Sequence, residues 1–407
     1  MSSPTPLPAR LQALARRPEP YLFLAVLVVL GLSVATFKSV PPSGKPWGLD
    51  LQNLHAFHAC SFKDAPYEAK GFQCGDWLRR PFVYPPLLYW SFVWTRGLTW
   101  ETVRDAWTVL TGAILVASPI LLTRGAGDRL ARGAAILFGV VLGTQFPAVF
   151  AFERGNTDIP VVLFWSVGAL LYLKGHRISA GLLIGAMAPY KLYPAVGCVV
   201  LVAGLAGMAL RGDRARRVEA LRFAGGLFLG AVIPTLFLAG MTSKYLRDVL
   251  PGFAAHLPGV SLHSHSVPAT FRPPLYGPKL VSGALILLWS GAAFLRFDKN
   301  PREVLVGALA ITTYVAGTSF DYNLVTAYPL LVVLALRAMK TAGKPALWAW
   351  ASLGLGVLGV CADHAWFTGH PRGHVVVQVV WLLLTAGLLA WRAEPEPSLE
   401  RVPARAS

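Results

Sequence analysis

The chain has 407 residues, of which 55% are hydrophobic and 14% are charged, and its mean hydropathy is +0.53. Soluble domains carry about 25% charged residues, so this composition excludes an ordinary water-soluble enzyme, a disordered protein and a coiled coil. The formal net charge is +17, but the location of the basic residues indicates membrane topology, and no nucleic-acid partner is predicted.

Apolar runs long enough to cross a membrane follow one another along the chain. A span needs about 20 mostly apolar residues. The first run, Tyr21–Phe37, follows three arginines and has no small-residue cleavage site after it, so we interpret it as an uncleaved span. Residues 178–210 are too long for one straight helix and contain prolines, which predicts two short broken helices. The other runs are Val103–Leu122, Gly133–Ala151, Ile159–Leu173, Leu221–Gly240, Leu280–Leu295, Val304–Gly317, Asn323–Leu336, Ala346–Cys361 and Val375–Trp391.

The predicted fold is all-α, a polytopic membrane protein with about 11–12 membrane helices, some of them broken or re-entrant. Residues 84–94 are too short to span and are predicted to lie in the interface or to dip partway into the membrane. A single transmembrane domain is expected over 21–392, between disordered cytoplasmic tails at 1–20 and 393–407. The long first outward loop, 38–82, is predicted to contain short amphipathic helices.

Basic residues predict the orientation of the chain. Seven connections hold 22 of the 37 lysines and arginines, namely 1–20, 123–132, 174–177, 211–222, 296–302, 337–344 and 392–407. The positive-inside rule makes these connections cytoplasmic, together with both termini. The outward side then has the long loops 38–82 and 241–279, where a membrane enzyme would place its site. Cys60 and Cys74 both lie in the first loop, where a disulfide and two free thiols fit the sequence equally well.

Asp50 is the strongest single candidate for a catalytic residue. It opens a segment that we interpret as a short amphipathic helix, with Leu51, Leu54 and Phe57 toward the membrane. A carboxylate just outside the first span can act as a general base toward a hydroxyl. A helix N-cap is the alternative, since Asp is favoured at that position.

Lys191 is the second candidate, because it lies in an apolar stretch between Pro189 and Pro194. A cation in such a stretch is costly and is usually functional or paired. Flanking prolines are typical of a helix that breaks to line a cavity. We expect a phosphate or pyrophosphate as its partner, whereas a lysine that snorkels to the interface is the alternative.

Three polar segments on the outward side are further candidates. In the turn 153–158, Arg154 and Asn156 can reach a phosphate or a sugar, although a plain outward turn would look similar. His263–Ser266, with Arg272 downstream, can form a polar cradle or simply be solvated. In Ser319–Asn323, an aspartate can contact substrate or cap the next helix.

Metal and nucleotide chemistry find little support in the sequence. His55 and His58 share a helix face, and Asp50, Asp64 and Asp76 are near in sequence, but no strong zinc-binding spacing appears. No metal and no cofactor are therefore predicted. The absence of a Walker loop, a dinucleotide fingerprint and a Gly-x-Ser-x-Gly motif argues against nucleotide-driven transport and hydrolase chemistry.

The ordered motifs over roughly residues 20–340 resemble glycosyltransferase family 87, a group of the multi-span type C glycosyltransferases. The matching pieces are Asp50, Pro66–Glu68, Phe82–Pro86, Arg154–Asp158, the pair Gly181 and Gly185, Lys191–Pro194, His265–Ser266 and Asp321–Asn323. Each piece is short, and their common order and spacing make the resemblance specific. Thr157 and Asp158 depart from the family's usual residues at the end of the Arg-Gly-Gln-x-Asn motif.

The resemblance implies an inverting transferase that moves a hexose, typically mannose, from a polyprenyl-phosphate sugar to a lipid or glycan acceptor. It places the active site on the outer side of a bacterial inner (plasma) membrane, among membrane lipids. Asp50 would be the base. The implied donor-phosphate ligands are Lys191, Arg154, His265 and Arg272, and the implied substrate-binding residues are Asn156, Asp158, Tyr84, His55, Asp321 and Tyr322.

A transporter or flippase for a lipid-linked or anionic solute is the alternative function, because broken helices around Lys191 suit it as well. A carrier needs a polar path through the midplane, whereas polar residues here concentrate on one side. This distribution favours the enzyme, and it also disfavours a purely structural role.

Overall fold

The computed structural model describes residues 49–59, 67, 84–251, 277–315, 321–341, 344–361 and 371–391, together with positions 24, 28 and 31. Cys60, Cys74, His265 and Arg272 lie outside these described residues, as do both predicted tails and most of the first predicted span. In the described ranges the regular structure is entirely helical and contains no strand. The protein is therefore an all-α polytopic membrane protein, as its composition predicts.

The helices follow the predicted apolar runs closely. In chain order they are α1 Leu49–Ala59, α2 Pro86–Ser91, α3 Trp100–Thr123, α4 Arg129–Leu142, α5 Phe146–Arg154, α6 Ile159–Leu173, α7 Arg177–Tyr190, α8 Pro194–Arg211, α9 Arg214–Phe237, α10 Ala239–Lys244, α11 Gly277–Arg296, α12 Pro301–Val315, α13 Tyr328–Lys340, α14 Lys344–Cys361 and α15 Pro371–Trp391. Short 3₁₀ segments occur at Val93–Thr95 and Asp321–Ala327, and a π-helical turn at Tyr245–Val249.

Five helical stretches among the described residues are long and apolar enough to cross a membrane: Trp100–Thr123, Pro194–Arg211, Arg214–Phe237, Asn323–Lys340 and Gly373–Ala390. The pair α4 and α5 makes a sixth if it is one bent span, and α6, α11 and α14 contain shorter apolar helices. The total of 11–12 membrane segments stays a prediction, because the first span and several connections lie outside the described residues.

Two apolar stretches are each divided into two helices, and the backbone at such a break can take part in a site. The 178–210 stretch divides into α7 and α8, as predicted, and Lys191 has extended backbone at the break (φ −142°, ψ 132°). The predicted single run Gly133–Ala151 also divides, since α4 and α5 meet at an angle of 51°. Pro147 at the start of α5 lacks an N–H, so it suits the first turn of a new helix.

Helices α7 and α9 lie in close backbone contact, and glycines permit it. A Cβ added at Gly181 or Gly185 would meet the backbone of α9, and one added at Gly226 or Gly230 would meet the backbone of α7. Small residues four apart allow such an approach between membrane helices. The Gly181 and Gly185 motif therefore has a packing role that holds the helix leading to Lys191.

Two parts of the fold are enclosed by protein. Residues Val304–Tyr314 of α12 and nearly all of α13 are buried, which is typical of helices that are apolar on every side. In α1, Leu51, Leu54 and Phe57 are only 0–2% exposed. The expectation that these three face the membrane is wrong, because their side chains belong to the protein core.

Candidate active site

A buried turn between α5 and α6 is the centre of the candidate site. Helix α5 ends at Arg154, and Gly155 follows in the left-handed conformation (φ 63°, ψ 47°), which glycine adopts without strain. The side-chain oxygen of Asn156 then accepts a 2.8 Å hydrogen bond from the backbone N–H of Asp158. Asn156, Thr157 and Asp158 are at most 1% exposed, so this segment is not a solvated surface turn.

One end of the turn holds the candidate base. Arg154 Nη2 donates a hydrogen bond of 3.0 Å to Asp50 Oδ1, and the two side chains are 15% and 12% exposed. No hydrogen bond to Oδ2 comes from the residues that the structure describes. Charge-assisted pairs of this kind hold their partners more firmly than neutral hydrogen bonds do. The ion pair therefore fixes the Asp50 carboxylate through its Oδ1 atom.

Burial raises the pKa of the Asp50 carboxyl above its usual value, because it removes water from the ionised form. The positive charges of Arg154 and Lys191 offset part of this rise, and the negative charge of Asp158 adds to it. All four charged groups therefore lie within electrostatic reach of one another. A carboxylate with a raised pKa is a stronger base than an exposed aspartate.

The other end of the turn holds the candidate phosphate ligand. Lys191 Nζ lies 2.7 Å from Asp158 Oδ1, and Asp158 is fully buried whereas the lysine side chain is 15% exposed. Asn323 Nδ2 donates a hydrogen bond to Asp158 Oδ2. Both oxygens of this carboxylate are therefore engaged by protein groups. The lysine side chain, unlike that of Asp158, keeps part of its surface exposed.

Tyr84 lies beside the same lysine. Its ring centroid is 5.5 Å from Lys191 Nζ, which is within the range of a cation–π contact. The Tyr84 carbonyl accepts a 2.7 Å hydrogen bond from the hydroxyl of Tyr67. The aromatic motif before α2 thus joins the charged cluster, and its contact with the substrate stays a prediction.

The histidines of α1 are packing residues in the described structure. His58 Nε2 is 2.8 Å from the carbonyl oxygen of Tyr89, and the two rings stack at 4.2 Å. The His55 ring lies 6.1 Å from that of Trp100, and the backbone of Thr95 is its hydrogen-bond partner. Burial lowers the pKa of both imidazoles. These contacts explain why His55 is buried, and its role as a substrate ligand stays a prediction.

Asn323 is a site residue that the candidate set missed. It ends the polar segment Ser319–Asn323, of which Asp321 and Tyr322 were the chosen residues; their side chains lie outside the described residues, as do His265 and Arg272. The available sequence signal for Asn323 was its place at the start of the predicted apolar run Asn323–Leu336. Over the described ranges, no three His, Cys, Asp or Glu side chains are grouped as a metal ion would require.

An apolar cavity of about 210 Å³ adjoins the helix break. Its lining includes Pro85, Pro86, Leu87, Ala188, Pro189, Leu192, Ala231, Pro234, Leu238 and Tyr245. Pro189 and Leu192 lie on either side of Lys191 in the chain, so the cavity adjoins the backbone of the helix break. Ile233, Leu236 and Phe237 on α9 are exposed apolar side chains. They provide a surface that suits the hydrocarbon of the membrane.

Comparisons with known proteins agree with this architecture. The family model of glycosyltransferase family 87 matches residues 82–320, which is more than half of the chain. A polyprenol-phosphate-mannose-dependent α-(1-2)-phosphatidylinositol pentamannoside mannosyltransferase of Mycobacterium tuberculosis (strain CDC 1551 / Oshkosh) is 24% identical over 375 residues. That alignment covers 86% of this chain and 83% of the relative. No solved structure matches the chain.

Proposed function

The chain belongs to glycosyltransferase family 87 and is an integral membrane glycosyltransferase, and from this premise we propose that it transfers mannose from a polyprenyl-phosphate donor to a lipid or glycan acceptor. The observation that carries the proposal is the joining of two ion pairs, Asp50 with Arg154 and Lys191 with Asp158, by one buried turn, together with an apolar cavity at the helix break that contains Lys191. A general base, a phosphate-binding cation and a place for a lipid chain then lie together.

The reaction follows from the charges. The acceptor hydroxyl oxygen attacks the anomeric carbon from the side opposite the phosphate, and Asp50 takes the hydroxyl proton. The bond between the anomeric carbon and the phosphate oxygen breaks, and its electron pair leaves with polyprenyl phosphate. Attack from the opposite side inverts the anomeric configuration. Lys191 and Arg154 stabilise the negative charge that develops on the phosphate, and preorganised cations are effective at this step.

The cavity supports a lipid-linked donor. Its lining is mostly aliphatic and proline side chains, and it includes Leu192, which follows in the chain the lysine that we assign to the phosphate. An isoprenoid chain that lies there gains from apolar burial, while its phosphate meets Lys191. Donors of this kind also suit an outward site, because nucleotide sugars are generally confined to the cytoplasm.

The direction of two helices supports an outward site. Helix α6 runs from Asp158 to a connection that contains Lys174 and Arg177, and α7 returns from that connection to Lys191. The positive-inside rule places the basic connection in the cytoplasm. The ion pairs at the opposite helix ends then face the periplasm. Both termini of the chain lie on the cytoplasmic side of a bacterial inner membrane.

The test is transfer by the purified protein from a panel of radiolabelled polyprenyl-phosphate sugars to a membrane lipid and glycan extract. We expect label from polyprenyl-phosphate mannose to enter an acceptor, with the opposite anomeric configuration by NMR. Sealed vesicles of known orientation, supplied with donor and acceptor from one side, test the outward site. Failure of every polyprenyl-phosphate hexose to serve as donor would refute the proposal.

A further inference from the structure

Asp158 has a carboxylate that is enclosed by protein groups. Its side chain is fully buried, with Lys191 Nζ at 2.7 Å from Oδ1 and the Asn323 amide hydrogen-bonded to Oδ2. Its backbone N–H is held as well, by the side chain of Asn156. A group whose position is determined from three directions is suited to orient a neighbour rather than to bind a ligand.

The neighbour that needs orientation is Lys191. A lysine has a flexible four-carbon stem and a compact charge, and here it lies at a helix break with extended backbone. A mobile ammonium would have to be ordered as negative charge develops in the transition state, whereas a fixed one requires no such reorganisation. The 2.7 Å contact with Asp158 supplies the fixed point for the ammonium, and 15% of the lysine side chain stays exposed.

The turn also relates Lys191 to the base. Arg154 begins the turn and holds Asp50, and Asp158 ends it and holds Lys191. Only four positions separate the two turn residues, and the left-handed Gly155 sets the path between them. The distance between the base and the phosphate cation is therefore determined by one short, buried segment.

We propose that Asp158 is a positioning residue that holds the Lys191 ammonium at the donor phosphate without itself touching substrate. This inference rests on the proposed function, because it takes Lys191 as a ligand of that phosphate. It assigns to Asp158 a role other than the sugar contact that the family resemblance implies for this position. The buried carboxylate serves the reaction through its ion-pair partner.

Kinetics distinguish the two roles. Asp158→Asn keeps the shape of the side chain and the positive charge of Lys191 but removes the ion pair. We expect kcat to fall at least tenfold while the KM for polyprenyl-phosphate mannose changes less than threefold, because charge attraction persists and precise placement is lost. The matched control is Asp298→Asn, in an ion pair with Arg216 at 2.9 Å, and it should leave both constants unchanged. A large increase in KM with constant kcat, or no effect on kcat, would overturn the proposal.

A stability cycle tests the coupling without any enzymatic readout. Lys191→Met leaves a buried carboxylate without its counter-ion, which is strongly unfavourable. We therefore expect this variant to have the lowest unfolding temperature among the wild type, the two single variants and the double variant. Adding Asp158→Asn to it should recover most of the loss. Independent, additive losses would overturn the coupling between the two residues. The cycle can show this coupling although the wild-type protein transfers no sugar from a polyprenyl phosphate. In that case the proposed function fails, and with it the donor-phosphate part of the inference.

Discussion

Asp50 and Arg154 are 104 positions apart in the chain and are joined by a 3.0 Å hydrogen bond between Oδ1 and Nη2. This bond attaches α1 to the turn that follows α5. Both side chains are largely buried, so the pair is weakly screened by water and salt. The candidate base is therefore held in one place by a residue on the central turn.

Asp50→Asn should abolish most of the transfer activity. General-base catalysis contributes about 10²–10⁴-fold to a rate, and an amide cannot take the proton. We expect kcat to fall in that range while binding of the donor persists, measured by displacement of labelled polyprenyl phosphate. The control is Asp105→Asn, an exposed aspartate on α3 paired with Arg104. Full turnover by the Asp50 variant would remove this residue as the base.

The rate should fall on the acid side at a pH above the usual titration range of an aspartate. The ionised Asp50 is the active form, and burial raises its pKa, so the base is lost earlier as the pH decreases. Arg154→Met removes a charge that lowers this pKa, and the acid limb should move further toward neutral pH. The measurement is kcat/KM against pH for both proteins. An acid limb that stays in place in the variant would contradict the pairing.

Adjacent glycines of α9 should respond differently to alanine. A Cβ at Gly226 would meet the backbone carbonyl of Ile178, whereas one at Gly225 meets nothing within 4 Å. Overpacking costs about 1–3 kcal/mol, so Gly226→Ala should lower the unfolding temperature and also the activity, since α7 leads to Lys191. Gly225→Ala is the control and should match the wild type in both measurements. Equal behaviour of the two variants would argue against close α7–α9 packing.

Filling the cavity should selectively weaken the binding of donors with a long prenyl chain. Ala231→Phe occupies space beside Pro189 and Leu192. Each apolar CH₂ kept out of the cavity loses about 0.8 kcal/mol, so the exclusion of two raises KM about tenfold or more. A donor with a very short prenyl chain should be unaffected. Leu236→Phe, at an exposed position of the same helix, is the control. A rise in KM that is independent of the donor's chain length would indicate a general structural defect instead.

Local sequence patterns predicted most of the helices. The length of an apolar run and the position of a proline are local properties, and they decide where a helix begins and ends. Ile159–Leu173 was predicted with the bounds that the structure has, and the break at Lys191 follows from its prolines. The α4–α5 bend was missed, although the run Gly133–Ala151 contains Thr144, Gln145 and Pro147 at the position of the break. The orientation of α1 was also wrong, because an apolar face alone does not tell lipid from protein as its neighbour.

The charged candidates were visible in the sequence. A lysine in an apolar stretch and an Arg–Gly–Asn turn are both local signals. Their partners were not. Asn323 contacts Asp158 from 165 positions away, and the depth at which Asn156 and Asp158 are buried depends on helices that surround them.

Composition alone determined that this protein is a helical membrane protein, because it is summed over the chain, and the distribution of basic residues predicted the orientation. Only the tertiary structure decided which acid pairs with which base. Ion pairs form between groups that helix packing brings within a few ångströms, and sequence distance does not measure that separation.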